Sequence, residues 1–225
     1  ANGNLWVNNM SAHSRYFSPS SMARRIGCTA SAAMEDGRED TPSEFALWGT
    51  AAHTICELCA GGKTTTEPRG LLHQIVEGVK VTEEMVAACD AALAHMREFT
   101  GCGPVETEKR VSLEHAGHPE MFGTADVVRD EPFSELFIFD YKFGAGVAVA
   151  VENNPALMSY ALMAAGPLLH TYEWIHLGIS QPRTSDRLQR WSIRPGTLAV
   201  WRDEVLCPTL EAIKTGKTRS GPSAD

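Results

Sequence analysis

Asp126, Asp140 and Lys142 stand in apolar surroundings that a strand does not normally give to charge. Asp126 lies among Ala125, Val127 and Val128. Asp140 ends the run Leu136-Phe137-Ile138-Phe139, and Lys142 follows two residues later. Side chains alternate along a strand, so Asp140 and Lys142 are expected on one face and Tyr141 on the other. A carboxylate or ammonium on a buried strand is costly unless it is paired or metal-bound. Two carboxylates converging near one lysine suit a hard divalent cation, with a positive charge beside it for a water or phosphate oxygen. A plain ion pair at a strand end has the same Asp-x-Lys spelling, so the surrounding elements decide between the readings.

Those elements form a recognisable order. Ser18-Pro19-Ser20 opens a helix that runs through Met22, Ile26 and Cys28 towards Met34. After a loop at 35–40, Thr41-Pro42-Ser43-Glu44 starts a second helix carrying Phe45, Trp48, His53, Ile55 and Leu58, which stops at Gly61-Gly62. His53 and Glu57 are four apart and share a face of it. Residues 63–80 read as loop. A third helix spans Thr82 to Phe99, with Thr82 as its cap. Strands follow at Val105–Leu113, Met121–Val128 and Leu136–Lys142, with turns at Gly117-His118-Pro119 and Asp130-Glu131-Pro132. A short strand is expected at Val147–Val151, a helix from Asn153-Asn154-Pro155 to Gly166-Pro167, strands at Tyr172–Ser180 and Leu188–Arg194, and a last helix after Pro195-Gly196. A polar tail fills 214–225.

The chain has 225 residues, 43% of them hydrophobic and 21% charged. That length suits one domain with extensions: a core at about 43–180, an N-terminal helical extension at 1–42, and a hairpin, helix and polar tail at 181–225. No apolar run is long enough to span a bilayer, and the N-terminal residues lack the basic-then-apolar pattern of a secretory leader. The expectation is a soluble, intracellular (cytoplasmic) protein without a membrane partner. A net charge of −8 argues against a non-specific nucleic-acid coat protein. The charge is uneven: residues 1–182 carry −11 and residues 183–225 carry +3. Arg24, Arg25, Arg183, Arg187 and Arg190 are candidate phosphate contacts.

In this order and at these distances, Gly49-Thr50-Ala51-Ala52-His53 with Glu57, Gly123-Thr124-Ala125-Asp126, Asp140-Tyr141-Lys142 and Tyr160 resemble the PD-(D/E)XK nuclease superfamily. Within it the match is to the RecB-like exonucleases, including phage-encoded relatives, over residues 43–165. The resemblance implies an α/β fold: a central mixed β-sheet with flanking helices, in a restriction-endonuclease-like αβββαβ core. It implies Asp126 and Asp140 as metal carboxylates, the Tyr141 carbonyl as a further ligand and His53 as an extra one. Lys142 would orient or activate the attacking water. Glu57 would bind a second ion or a water, and Tyr160 would line the DNA groove; Arg24 and Arg25 are the substrate-contact candidates from charge alone. Glu108, on the preceding strand, is a weaker candidate to support the metal ligands, and the favoured reading is an exposed strand charge. The implied cofactor is Mg²⁺ or Mn²⁺. The implied partners are DNA and a recombination or phage protein, with an infected bacterial host as one setting. Relatives carry Gln-x-x-x-Tyr on the helix after the lysine; here Ala156 replaces the glutamine, and Tyr160 is kept. Cys28 falls where some relatives place the first of four thiolates around a [4Fe–4S] cluster. The other three do not follow in this sequence, so the cluster is expected only in a longer native chain.

The functional expectation is a metal-dependent DNA nuclease, an exonuclease by the family likeness. The alternatives are a nuclease fold kept for binding DNA or a partner without catalysis, and a zinc protein using His53, Cys56 and Cys59. The last has only one Cys-x-x-Cys pair and no evident fourth ligand.

Overall fold

A computed structural model describes residues 14, 16–35, 43–60, 67–184 and 187–217. The expected loop at 36–40, the Thr41-Pro42 helix start, the Gly61-Gly62 stop and the tail beyond 217 lie outside the described residues.

The long helices form where apolar residues recur at helical spacing and a polar side chain closes the first turn. Helix α3 (Glu44–Ala60) begins where the Ser43 hydroxyl accepts the Ala46 N–H at 3.2 Å. Helix α4 (Glu83–Thr100) begins at Thr82, whose hydroxyl accepts from Met85 N. Helix α5 (Pro155–Ala165) has Pro155 in its first turn, and the Asn154 side chain accepts from both Ala156 and Leu157. The N-terminal helix is not continuous as expected. A 3-10 turn at Pro19–Ser21 leads into α1 (Met22–Gly27), the chain turns extended at Cys28, and α2 (Ser31–Met34) follows.

Seven strands are described: β1 (Ile75–Val76), β2 (Val79–Lys80), β3 (Glu106–Leu113), β4 (His118–Glu131), β5 (Glu135–Tyr141), β6 (Trp174–Ser180) and β7 (Gln189–Ile193). The first two make a small hairpin inside the stretch read as loop. Its turn is Glu77-Gly78, both at positive φ, which glycine adopts without strain. The other five form one mixed sheet in the order β3-β4-β5-β6-β7, with β5–β6 parallel and the rest antiparallel. The parallel pair needs a crossover, and α5 supplies it.

Strand β4 starts earlier and ends later than its apolar stretch suggests. The reversal before it is made at Glu114–Ala116 and Gly117 (φ 83°), not at His118-Pro119. The β3–β4 register then jumps from Ser112↔Phe122 to Leu113↔His118. This bulge leaves Pro119 without a ladder partner, which suits a residue with no N–H. The expected strand at 147–151 is a loop instead. Side-chain amides take the place of a neighbouring strand: Gln181 accepts from Val149 N and donates to Val147 O, and Gln189 donates to Val149 O. The last helix is α6 (Pro195–Trp201), a π-type turn at Arg202–Leu206, and α7 (Cys207–Lys214). Pro208 cannot donate within a regular helix, and the wider turn precedes it.

The sheet carries a core on each face. Helix α5 and the N- and C-terminal helices cover one, with Met22, Leu136, Ile138, Leu157, Leu162, Leu198 and Leu210 buried. Helices α3 and α4 cover the other, with Ile55, Met85, Leu93, Val127, Phe139 and Tyr141 buried. The strand alternation expected of β5 is therefore present: Phe139 and Tyr141 face α3 and α4, and Leu136 and Ile138 face α5.

Gly178 on β6 is where the second core is tightest. A Cβ there would stand 2.9 Å from Phe139 and 3.0 Å from Phe99. Gly178→Ala is expected to overpack this core and cost about 1–3 kcal/mol, read as a lower urea midpoint at unchanged slope.

Candidate metal centre

The antiparallel ladder between β4 and β5 runs from Glu131↔Glu135 to Val127↔Phe139. One residue beyond, the Asp126 side chain takes over the role of a ladder carbonyl: its Oδ2 accepts the Tyr141 N–H at 2.8 Å. A carboxylate is thereby pinned at the point where the strands part. His53, from the middle of α3, faces the same Oδ2 with its Nδ1 at 3.5 Å. The imidazole is set edge-on against Tyr141 and Phe143, with ring centroids 6.0 and 5.2 Å away. Aromatic packing from the β5 strand and the residues after it thus orients a side chain delivered by the helix.

Glu108 completes the group. Its neighbours on β3 pair as Thr107↔Val127 and Lys109↔Ala125, so Glu108 lies opposite Asp126. Its φ is +51°, a left-handed conformation that a non-glycine residue in a strand seldom adopts, at a cost of about 1–3 kcal/mol. Ligand atoms of His53, Glu108 and Asp126 all lie within 4.8 Å of one another. Two carboxylate oxygens and an imidazole nitrogen this close match the donor set of a divalent cation, whose ligands stand about 2.0–2.2 Å from it.

Asp140 lies outside that group. Lys142 Nζ holds its carboxylate, at 2.6 Å from Oδ2 and 2.8 Å from Oδ1. Asp140 is buried, with both carboxylate oxygens facing that ammonium. Of the expected ligands, Asp126 and His53 meet directly, with Glu108 beside them; Asp140 stands next to this group, paired with Lys142. What hid Glu108 was register. Its pairing with Asp126 depends on a bulged turn that cannot be counted from the sequence.

Burial raises the Asp126 pKa above the usual carboxylate value, and Asp140 adds to this; His53, Lys142 and the Tyr141 N–H work against it. For Lys142, burial works to lower the pKa, but Asp140 and Asp126 outweigh it and the net shift is upward. The ammonium therefore stays protonated at neutral pH.

His53, Glu108, Asp126 and Lys142 line an open cleft of about 650 Å³. Glu57 lines it one helical turn from His53 but is not in the close group. Tyr141 lines it through a largely buried side chain whose hydroxyl is buried without a partner. Tyr160 is buried among the α5-side core. Burial raises its phenol pKa first, and Asp126, Asp140 and Glu108 raise it further, which places it within their field. The α1 arginines do not reach the cleft. Arg25 is fully buried and donates to Tyr16 O, Ser31 Oγ and Glu35, and Arg24 pairs with the same Glu35. Arg25 is thus spent on holding the N-terminal segment together, and the expectation that it binds substrate is corrected. Arg183 pairs with Glu84 and covers Trp48, and Arg190 pairs with Glu98. Cys28 is exposed at the end of α1. The zinc set does not assemble: Cys56 is buried with its thiol pKa raised by burial, and neither it nor Cys59 joins His53 in a metal-sized group among the described residues. No helix among the described residues is long and apolar enough to cross a membrane.

A family model described as "Protein of unknown function (DUF2800)" matches residues 13–224. Among solved structures, the chain is similar to the crystal structure of a "Putative exonuclease" from Eubacterium rectale. The alignment has a TM-score of 0.53 and 12% identity and covers 100% of this chain and 91% of that one. At that identity the likeness shows a shared fold. A structure named SSO0001 aligns over 89% of this chain and 86% of its own at 11% identity, with a TM-score of 0.33, too low to bear on the reading.

Because burial raises the Asp126 pKa, its charged form burdens the metal-free fold above that pKa and is relieved as the pH falls through it. Asp126→Asn keeps an oxygen for Tyr141 N–H and removes the charge. Without metal it is expected to melt higher than the parent at pH 7, with the gap closing towards the acidic carboxylate range. Thermal melts in EDTA across that range check both the sign and the direction of closure.

Proposed function

We propose that this chain, which belongs to the DUF2800 family, is a divalent-metal-dependent nuclease that hydrolyses phosphodiester bonds in DNA. The observation that carries the reading is the meeting of His53, Glu108 and Asp126 within 4.8 Å, beside the Asp140–Lys142 pair. These three would hold Mg²⁺ or Mn²⁺. The Tyr141 carbonyl and the Asp140 carboxylate would be further donors, and this set of oxygens with one imidazole fits the ion. When bound, such an ion supplies Lewis acidity to a phosphoryl oxygen and lowers the pKa of water.

The protein's own groups do the rest. Lys142, kept charged by two carboxylates, is a cation rather than a base at neutral pH. It orients a water through its N–H bonds and offsets charge that builds on the phosphate oxygens. Asp140 fixes that ammonium and limits its rotamers. His53, held edge-on by Tyr141 and Phe143, presents Nδ1 to the centre. Glu57, one turn along α3, faces the same cleft and suits a second ion or a water. The likeness of fold to a protein called an exonuclease, together with the RecB-like motif pattern, favours removal of nucleotides from ends, in recombination or DNA processing.

With Mn²⁺ and end-labelled DNA, the purified chain is expected to release short products, and EDTA to abolish them. Asp126→Asn and Lys142→Ala should each lower the rate by roughly 100-fold or more, with far-UV circular dichroism unchanged. Glu108→Gln should weaken Mn²⁺ binding in calorimetry by about tenfold, while Arg24→Ala leaves it alone. Cleavage at the parental rate by both of the first two variants would reject this centre. Metal-dependent DNA binding with no product would select the non-catalytic module instead.

A further inference from the structure

Resting on the nuclease reading, we infer that the cleft face of α3 is a track for a single, unpaired DNA strand, and that Phe45 is the platform on which one of its bases stacks. Phe45, Gly49, His53 and Glu57 follow one another at four-residue spacing and all line the cleft. Phe45 is 74% exposed and belongs to neither core. At 1.5 Å rise per residue it stands about 12 Å along the helix from His53. That is further than a base lies from its own phosphate, so the ring meets a neighbouring nucleotide rather than the one being cut.

Gly49, between them, has no packing reason to be glycine. A Cβ there would meet nothing within 4 Å. Glycine in a helix interior is destabilising relative to alanine, so its bareness serves the cleft side, leaving room for a strand between platform and metal centre. The other large aromatic near this end of α3, Trp48, has its face covered by Arg183, whose guanidinium carbon is 4.3 Å from the ring centroid. Phe45 is the open face.

Charge points the same way. Among the described residues lining the cleft, Lys142 is the one lysine or arginine, against Glu57, Glu108 and Asp126. Among the described lining residues there is too little positive charge to neutralise many phosphates, the usual source of duplex affinity. Stacking on an aromatic face supplies affinity without it, and requires a base that is out of a duplex.

The test compares KM, kcat and Mn²⁺ affinity for Phe45→Ala, Phe45→Trp, Phe45→Leu and Gly49→Leu on single-stranded and blunt duplex oligonucleotides. Phe45→Ala is expected to raise KM on single strands by about 5- to 150-fold with kcat and calorimetric Mn²⁺ affinity kept. Phe45→Trp restores KM, Phe45→Leu does not, and Gly49→Leu mimics the loss by filling the track. The slope of log affinity against log salt should be near −0.7, about one phosphate contact on a single strand. Parental KM in Phe45→Ala, full rescue by leucine, or a slope of several charges would overturn the platform and leave the nuclease reading standing. No Mn²⁺-dependent product from the parent protein would sink both.

Discussion

Carboxylates held side by side repel, and burial deepens the cost by removing the water that would screen them. The Asp126 carboxylate is nevertheless fixed where β4 and β5 part, with its Oδ2 on the Tyr141 N–H. That hydrogen bond is the hinge of the arrangement. It ties the acid of one strand to the backbone of the next, immediately before Lys142 and immediately after Asp140. Because the same oxygen faces His53, one atom joins two strands and a helix. Moving β5 by one residue would swap the faces of Asp140 and Tyr141 and bring an aromatic ring where the ion pair stands.

The rest of the molecule keeps that register from slipping. Both faces of β4 and β5 are buried, so neither strand can rotate without exposing a core. Phe139 and Tyr141 lock β5 against α3 and α4, and Leu136 and Ile138 lock it against α5. The segment leaving β5 is held without being a strand. Gln181 and Gln189, at the end of β6 and the start of β7, satisfy its backbone through their amides. Arg183 adds a staple, pairing with Glu84 of α4, bonding Phe143 O and lying over Trp48 of α3. The cleft is thereby framed by elements fixed from both sides of the sheet.

Much of this was legible in the chain. The three long helices carry their own caps and periodicity, and β5 and β6 announce themselves as apolar runs, so the α/β order and the mixed sheet follow. Asp126, Asp140 and Lys142 stand out because charge in an apolar strand demands a partner. What was hidden lies in backbone geometry and register. Glu108 looks like any exposed strand charge until its pairing with Asp126 and its left-handed φ are known. The break in the N-terminal helix falls at Gly27-Cys28, where the glycine is a stop signal that the apolar spacing through Met22, Ile26 and Cys28 masks. Arg25 looked like a surface cation because burial by a distant acid, Glu35, leaves no mark in the local sequence. The false strand at 147–151 has a strand's alternation, but its partners are glutamine side chains.

The division of the acids also has an electrostatic logic. Glu108, Asp126 and Asp140 against one Lys142 leave the centre with two excess negative charges if the carboxylates are ionised and His53 is neutral. One acid, Asp140, is paired with the lysine, and the imidazole stands beside Asp126. A divalent ion would offset that excess, which a monovalent ion cannot do. An anionic phosphodiester approaching the bare centre meets repulsion from three carboxylates at close range. A bound divalent ion would remove most of that repulsion, with the Lys142 ammonium directed at the same space. The acids that would repel an anionic substrate are the ones that would hold the ion, so on the proposed function a bound cation would favour the approach of nucleic acid.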